Sequence, residues 1–107
     1  MIIVYINHDG FDWDDFNSIK VKERIPLVVI EELFKNNVFI REDNRHSLSE
    51  QRFIAMGEVN KRIVFTAYTI RKKGTETLIR VISGRYVHSN SKERETYEKA
   101  KELLEKN

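Results

Sequence analysis

The sequence predicts an α+β domain with helices packed on one face of a mostly antiparallel sheet, followed by a C-terminal helix. Three strand-like segments between residues 52 and 87 follow one another with short turns, which is typical of an antiparallel meander. Helical apolar spacing occurs before the meander and again after it. A chain of 107 residues has room for one small hydrophobic core, so we expect a single domain over residues 1–107.

The chain opens with a strand and a short helix. Residues 2–6 form an apolar run rich in β-branched side chains, and the Asp-Gly pair at 9–10 ends it. Asp14 or Asp15 can cap a helix that continues to about Lys22.

A second helix and a short strand complete the first half. Pro26 fits the first helical turn because its fixed φ suits that position. Residues 38–41 then read as a short strand, and 43–49 as a polar loop. The apolar face of this helix consists of Val29, Ile30, Leu33 and Phe34.

The meander and the last helix make up the second half. Asn90 and Glu93 have the spacing of a capping box, which predicts the start of the last helix. The predicted strands are 52–59, 62–71 and 77–87, and the apolar side of the helix is Tyr97, Ala100, Leu103 and Leu104.

Charge is unevenly distributed along the chain. Residues 1–50 contain 6 Lys and Arg against 10 Asp and Glu, whereas residues 51–88 contain 8 against 2. Such a local cationic excess favours a polyanion or an acidic protein as partner. The absence of cysteine excludes thiol catalysis and suits a cytoplasmic protein, and the apolar opening is too short for a membrane span.

The stretch from Arg80 to Tyr97 resembles the C-terminal signature of the BrnT family of type II toxins, which are relatives of the RelE ribonucleases. The resemblance extends back to Phe11 and covers about residues 11–97. The residues that carry it are Phe11, Asp12, Trp13, Asp14, Arg52, Phe53, Gly57, Arg62, the run 63–65, Arg80, Ile82, Ser83, Arg85, Glu93, Arg94 and Tyr97.

This chain departs from the family pattern at several places. Family members usually carry a Lys-His-Gly turn after the first helix, whereas this chain has Lys22, Glu23 and Arg24. Any role of that family histidine therefore cannot be transferred. Gly84 replaces a commoner alanine, and the apolar segment before Phe11 is unusual.

The resemblance implies a RelE-like fold and a toxin endoribonuclease. Because no metal site in the sequence is convincing and the cations suffice for charge stabilisation, we expect no cofactor or metal. The resemblance also implies a BrnA-like antitoxin whose ribbon-helix-helix domain binds operator DNA and whose other segment covers Arg80 and Arg85. The toxin would contact that DNA only through the antitoxin. The alternative is a catalytically decayed module of the same fold that acts with the antitoxin as a corepressor or scaffold.

Arginines in the predicted strands are the candidates for phosphate binding. Arg52, Arg80 and Arg85 can each give bidentate hydrogen bonds to a phosphate and keep their charge at any working pH. Residues five apart on a regular strand point to opposite faces, so Arg80 and Arg85 converge only if the strand is broken. We predict that break at Ser83 to Gly84, with both guanidinium groups lining one cleft.

The acid-base group is less well specified by the sequence. His88 near Arg85 and His46 in the polar loop are natural candidates because imidazole titrates near neutrality. Other candidates for the acid-base group are Lys92, Arg94 and Glu50, because RelE-type enzymes often use lysine, arginine or glutamate instead of histidine. The residues expected to contact RNA elsewhere are Arg62, Lys92, Arg94 and His46.

Structural roles are the better explanation for two other sets of residues, the aspartates near the first helix and Trp13. Asp9, Asp12, Asp14 and Asp15 could bind Mg²⁺ through oxygen ligands, but their spacing matches no calcium loop, and capping explains them better. Trp13 could stack on a base, but beside the first helix it is better explained as a core anchor.

Overall fold

The computed structural model describes residues 2–45 and 49–106, which contain six strands and three helices. The strands are β1 Ile2–Val4, β2 Gly10–Phe11, β3 Val38–Glu42, β4 Phe53–Val59, β5 Arg62–Lys73 and β6 Glu76–Tyr86. The helices are α1 Asp15–Lys22, α2 Leu27–Leu33 and α3 Lys92–Glu105.

Within these residues the strands form one sheet in the order β1-β3-β4-β5-β6-β2. Neighbouring strands are antiparallel, except that β2 runs parallel to β6. The α+β class and the meander of β4, β5 and β6 are therefore confirmed. The sequence did not predict β2, because a two-residue strand has no periodicity and is defined only by its pairing with β6.

Tight turns connect the meander. Asn60 and Lys61 between β4 and β5 have φ angles of 51° and 66°, and two successive positive φ values match a two-residue hairpin turn to the twist of its strands. Gly74 between β5 and β6 has a φ of 61°, which glycine adopts without steric cost.

The main core lies between one face of the sheet and the helices α1 and α2. Two glycines let α2 approach this face closely. A Cβ at Gly84 would lie 2.8 Å from the Cδ1 of Ile30, and a Cβ at Gly57 would lie 2.7 Å from the Cδ1 of Leu33. The core consists of Val21, Ile25, Ile30, Leu33, Phe34, Val38, Ala55, Val59, Val64, Tyr68, Ile79 and Val81.

The opposite face of the sheet is covered in part by α3. Tyr97 packs edge-on against Phe39 with ring centroids 5.4 Å apart, and Met56 and Ile63 complete this smaller core. The hydroxyl of Tyr97 donates to the carboxylate of Glu58 at 3.1 Å. The helix is therefore held to the half of the sheet that lies nearest the turn between β4 and β5.

The helix starts confirm one predicted cap and correct another. Asp14, one of the two residues predicted as the cap, caps α1 in a capping box with Asn17. The cap of α3 is Ser91, whose hydroxyl accepts from the N–H of Arg94 at 3.2 Å. The predicted Asn90 cap is therefore wrong by one residue.

One further expectation is corrected. The first strand ends at Val4 rather than at residue 6. Leu103 and Leu104, on the apolar side predicted for the last helix, are 65% and 47% exposed and line an open apolar groove with Ile3 and Phe39. None of the helices in residues 2–45 and 49–106 combines the length and the apolar character needed to cross a bilayer.

Candidate functional site

The half of the second sheet face that α3 leaves uncovered forms a cleft of about 550 Å³. Its floor is made of side chains from β4, β5 and β6: Ile54, Phe65, Ala67, Ile82 and Ser83. Its rim is polar, and it is formed by Lys20, Arg41, Glu42, Asp43, Asn44, Arg45 and Arg52. We call these twelve residues the cationic cleft.

Four basic side chains surround this cleft against two acidic ones. Arg41 lies on β3 directly opposite Ile54 of β4, so it shares a face of the sheet with this floor residue. The N–H of Asp43 donates to the carbonyl of Arg52 at 2.8 Å, which holds the end of β3 beside the start of β4. A cation-rich rim around an apolar floor suits a ligand that carries phosphates and flat rings.

A β-bulge forms part of the floor. Pairing between β5 and β6 is regular at Ala67 with Ser83 and resumes at Tyr68 with Val81, so Ile82 is the extra residue. The hydroxyl of Thr66 donates to the carbonyl of Ser83 at 2.8 Å and supports the distorted backbone.

The position of the bulge corrects the predicted break at Ser83 to Gly84. Gly84 pairs regularly with Thr66, and it is glycine because Ile30 packs directly over it. The extra residue at Ile82 shifts the alternation by one, which brings Arg80 and Arg85 to the same face of the sheet. The predicted convergence of the two arginines on one face is therefore confirmed, but neither of them lines the cationic cleft.

Arg80 is bound by two carboxylates from the segment between β2 and α1. Its Nη2 lies 2.9 Å from Oδ2 of Asp14, and its Nη1 lies 3.6 Å from Oδ2 of Asp12. Nη1 also donates to the carbonyl of Asp12 at 3.3 Å. The side chain is only 17% exposed, so its charge is largely satisfied within the protein.

Arg85 lies beside the cleft and is also paired. Its guanidinium donates to both carboxylate oxygens of Glu93 at the start of α3. The same group lies 4.5 Å from the centroid of the Phe65 ring, a cation–π distance. Because Phe65 belongs to the floor, Arg85 borders the cationic cleft without lining it.

The other predicted site residues lie elsewhere or outside the described residues. His88 is exposed before α3, and its carbonyl accepts from Ser91. Lys92 is exposed in the first turn of α3, and Arg94 pairs with Glu98 at 2.8 Å. Arg62 stacks 3.5 Å over the ring of Tyr86. His46 lies outside the described residues.

Of the predicted site residues in the described ranges, the structure thus places only Arg52 in the cationic cleft. The candidate base Glu50 pairs with Arg71 at 3.1 Å outside it. Sequence reasoning missed Lys20, Arg41 and Arg45. Arg41 had a detectable signal, because it alternates with Phe39 on one face of a strand. Lys20 and Arg45 had no such signal in the sequence. Only the tertiary fold brings α1 and the loop after β3 to one rim.

A second cleft of about 340 Å³ adjoins the first and shares Lys20 and Ser83 with it. Glu23 and Arg24 line this second cleft. The turn at which this chain departs from the family pattern therefore lies next to the cationic cleft.

The acidic and aromatic residues near α1 make contacts within the protein. Asp9 accepts from the N–H of Thr77 at 2.7 Å, and Asp12 and Asp14 bind Arg80. In the described part of the chain, no group of three or more His, Cys, Asp or Glu residues is placed to hold a metal ion. Trp13 stacks on Phe11 and packs on the main core, so it is the core anchor that the sequence favoured.

Groups with shifted pKa values lie outside the cleft and report on structure. The pKa of Asp14 is lowered, first by the hydrogen bond from the backbone of Asn17 and then by Arg80. The pKa of Glu58 is lowered by the hydrogen bond from Lys101, and burial raises the pKa of Tyr97 beside it. Burial also lowers the pKa of His8, which packs against Phe11.

Together the fold and the site define a small α+β protein with a cationic cleft on the partly open face of its sheet. The chain matches the family model described as ribonuclease toxin, BrnT, of type II toxin-antitoxin system, over residues 13–91. This match includes every residue of the cationic cleft, and the chain belongs to the BrnT family. The family consists of ribonuclease toxins, and a type II toxin is paired with an antitoxin. A search of curated proteins found no match.

Proposed function

We propose that this protein is a metal-independent endoribonuclease that cleaves RNA in the cationic cleft by attack of a 2′-hydroxyl on the adjacent phosphate. The observation that most supports the proposal is the convergence of four basic side chains, from α1, β3, the loop after β3 and the residue before β4, on an open apolar part of the sheet. Backbone phosphates would bind at the cationic rim, and a base would stack on the Phe65 ring at the floor.

Arg52 is the residue that we assign to the scissile phosphate. It is half-buried immediately before β4, whereas Arg41 and Arg45 are exposed. A guanidinium held in a partly dry position stabilises developing negative charge more strongly than one in water. Arg41 and Arg45 would then bind the flanking phosphates, while Arg85 beside Phe65 stays paired with Glu93.

The reaction also needs a proton acceptor. Among the described residues of the cleft, Glu42 is an exposed carboxylate, and we assign it the proton of the 2′-hydroxyl. The 2′ oxygen then bonds to phosphorus, and the 5′ oxygen leaves and takes a proton from water. The products are a 2′,3′-cyclic phosphate and a 5′-hydroxyl. His46 and His88 stay predicted alternatives for the base.

In the cell this activity has to be restrained, and we propose an antitoxin of the BrnA kind in the cytoplasm. Its ribbon-helix-helix domain would bind operator DNA, and the toxin would reach that DNA only through it. The second candidate function is a decayed toxin that acts as a corepressor or scaffold. The carboxylates that already neutralise Arg80 and Arg85 favour this alternative.

The test is cleavage of end-labelled single-stranded RNA by the purified protein in EDTA. We expect fragments that end in a 2′,3′-cyclic phosphate, and no cut at a position that carries a 2′-deoxy sugar. Cutting that disappears in EDTA and returns with Mg²⁺ would contradict the mechanism. Absence of cutting by a protein that still binds its antitoxin would support the decayed module.

A further inference from the structure

The outer surface of α1 is apolar where an isolated domain would be polar. Phe16 is 81% exposed and Ile19 is 59% exposed, while the polar Asn17 is buried beside Val21. Residues three apart on a helix are neighbours on its surface, so Phe16 and Ile19 form one patch. This arrangement is the reverse of a surface helix that packs its apolar side on the core.

The buried asparagine explains why the apolar pair points outward. The side-chain amide of Asn17 donates to the carbonyl of Val81 at 2.9 Å and to that of Asp12 at 3.1 Å. Its Oδ1 accepts from the N–H of Asp14 at 2.8 Å. These bonds attach α1 to β6 beyond the end of β2, and they fix the rotation of the helix. Phe16 and Ile19 then contribute little to the core.

The patch is continuous with the cationic cleft. Lys20 follows Ile19 directly and lies one helical turn after Phe16, and it lines the rim of the cleft. A ligand that covers Phe16 and Ile19 therefore meets Lys20 next and the cleft arginines beyond it. Exposed aromatic side chains in such positions are typical of interface anchors.

We propose that Phe16 and Ile19 anchor the antitoxin, whose apolar side chains pack on this patch while its acidic side chains lie over Lys20 and the cationic cleft. The proposal rests on the proposed function, because it assigns the inhibited site to that cleft. It also replaces the expectation that the antitoxin covers Arg80 and Arg85, since Asp14 and Glu93 already occupy those guanidinium groups. Charge complementarity supports an acidic partner, because the rim carries four basic residues and two acidic ones.

The test compares two double variants of the toxin in binding to the antitoxin encoded by the adjacent reading frame. The first is Phe16→Ser with Ile19→Ser. The matched control is Leu103→Ser with Leu104→Ser, which removes a second pair of exposed apolar side chains at the far end of α3. Melting curves confirm that both variants fold, and RNA cleavage is measured for each without antitoxin.

We expect the α1 variant to bind the antitoxin about 100-fold more weakly, with an unchanged rate of RNA cleavage by free toxin. The control variant should bind like the wild type. Unchanged binding by the α1 variant, or a loss confined to the α3 variant, would overturn the proposal. If the wild-type protein cuts no RNA but the α1 variant still loses the antitoxin, the docking surface stands and only the proposed activity fails.

Discussion

The Nη2 of Arg80 lies 2.9 Å from Oδ2 of Asp14, so an arginine in the middle of β6 is bound to the residue that caps α1. This ion pair connects the sheet to the helix whose outer surface we assign to the antitoxin. It also explains why Arg80, which we predicted from the sequence to bind phosphate, is a poor ligand-binding group: carboxylates of the protein already bind its guanidinium.

Replacing Arg80 with alanine should therefore reduce stability more than catalysis. We expect a larger fall in the free energy of unfolding than for Arg71→Ala, because the Arg71 side chain is 43% exposed and that of Arg80 is 17% exposed. The rate of RNA cleavage by folded Arg80→Ala should stay within about tenfold of the wild type. Urea unfolding and single-turnover cleavage measure the two effects, and a stable variant that cuts no RNA would return Arg80 to the active site.

Acid should weaken the junction between α1 and the sheet. The folded-state pKa of Asp14 is lowered by its hydrogen bond with Asn17 and by Arg80. The pKa of an aspartate in the unfolded chain is about 3.9. The stability from the charged form is complete above that unfolded pKa and is lost as the pH falls through the folded pKa.

The variant Asp14→Asn should keep a capping side chain but remove the charge. We expect its stability to fall less steeply than that of the wild type below about pH 4. Asp15→Asn is the matched control, since it changes the next carboxylate without touching the cap. Equal acid dependence in wild type and Asp14→Asn, measured by urea unfolding at each pH, would contradict this account.

Gly84 tests the packing between α2 and the sheet. In Gly84→Ala the new Cβ would lie 2.8 Å from the Cδ1 of Ile30, and overpacking of this kind costs about 1–3 kcal/mol. Ile30→Val removes that Cδ1 atom. The double variant should therefore be more stable than the sum of the two single changes predicts. Strict additivity in chemical unfolding would show that the contact is not the reason for glycine.

The sequence was sufficient for features that depend on local pattern. Val29 to Phe34 has helical apolar spacing, and the alternation from Phe53 to Tyr86 predicted the meander. The sequence was insufficient where one residue changes the register. The pattern indicated Gly84 as the break in β6, because glycine is common at bulges, but the extra residue is Ile82 and the glycine serves packing.

The site was harder to predict because the partner of an arginine depends on the tertiary fold. A guanidinium in a strand can serve a ligand or a carboxylate of the protein, and the sequence does not say which. Arg80 pairs with Asp14, which is distant in sequence. Arg85 pairs with Glu93, which lies beyond the turn that precedes α3. Among the residues that the structure describes, Arg52 alone was predicted for the site and also lies in the cationic cleft.

We propose that the cationic cleft cleaves RNA with Arg52 at the scissile phosphate. The most direct test is the single-turnover rate of RNA cleavage by Arg52→Ala beside Arg71→Ala, an arginine of the same sheet that does not line the cleft. We predict a loss of on the order of 100-fold for Arg52→Ala at saturating RNA, as for removal of one transition-state donor, and less than a threefold change for the control. Equal rates in the two variants would contradict the account.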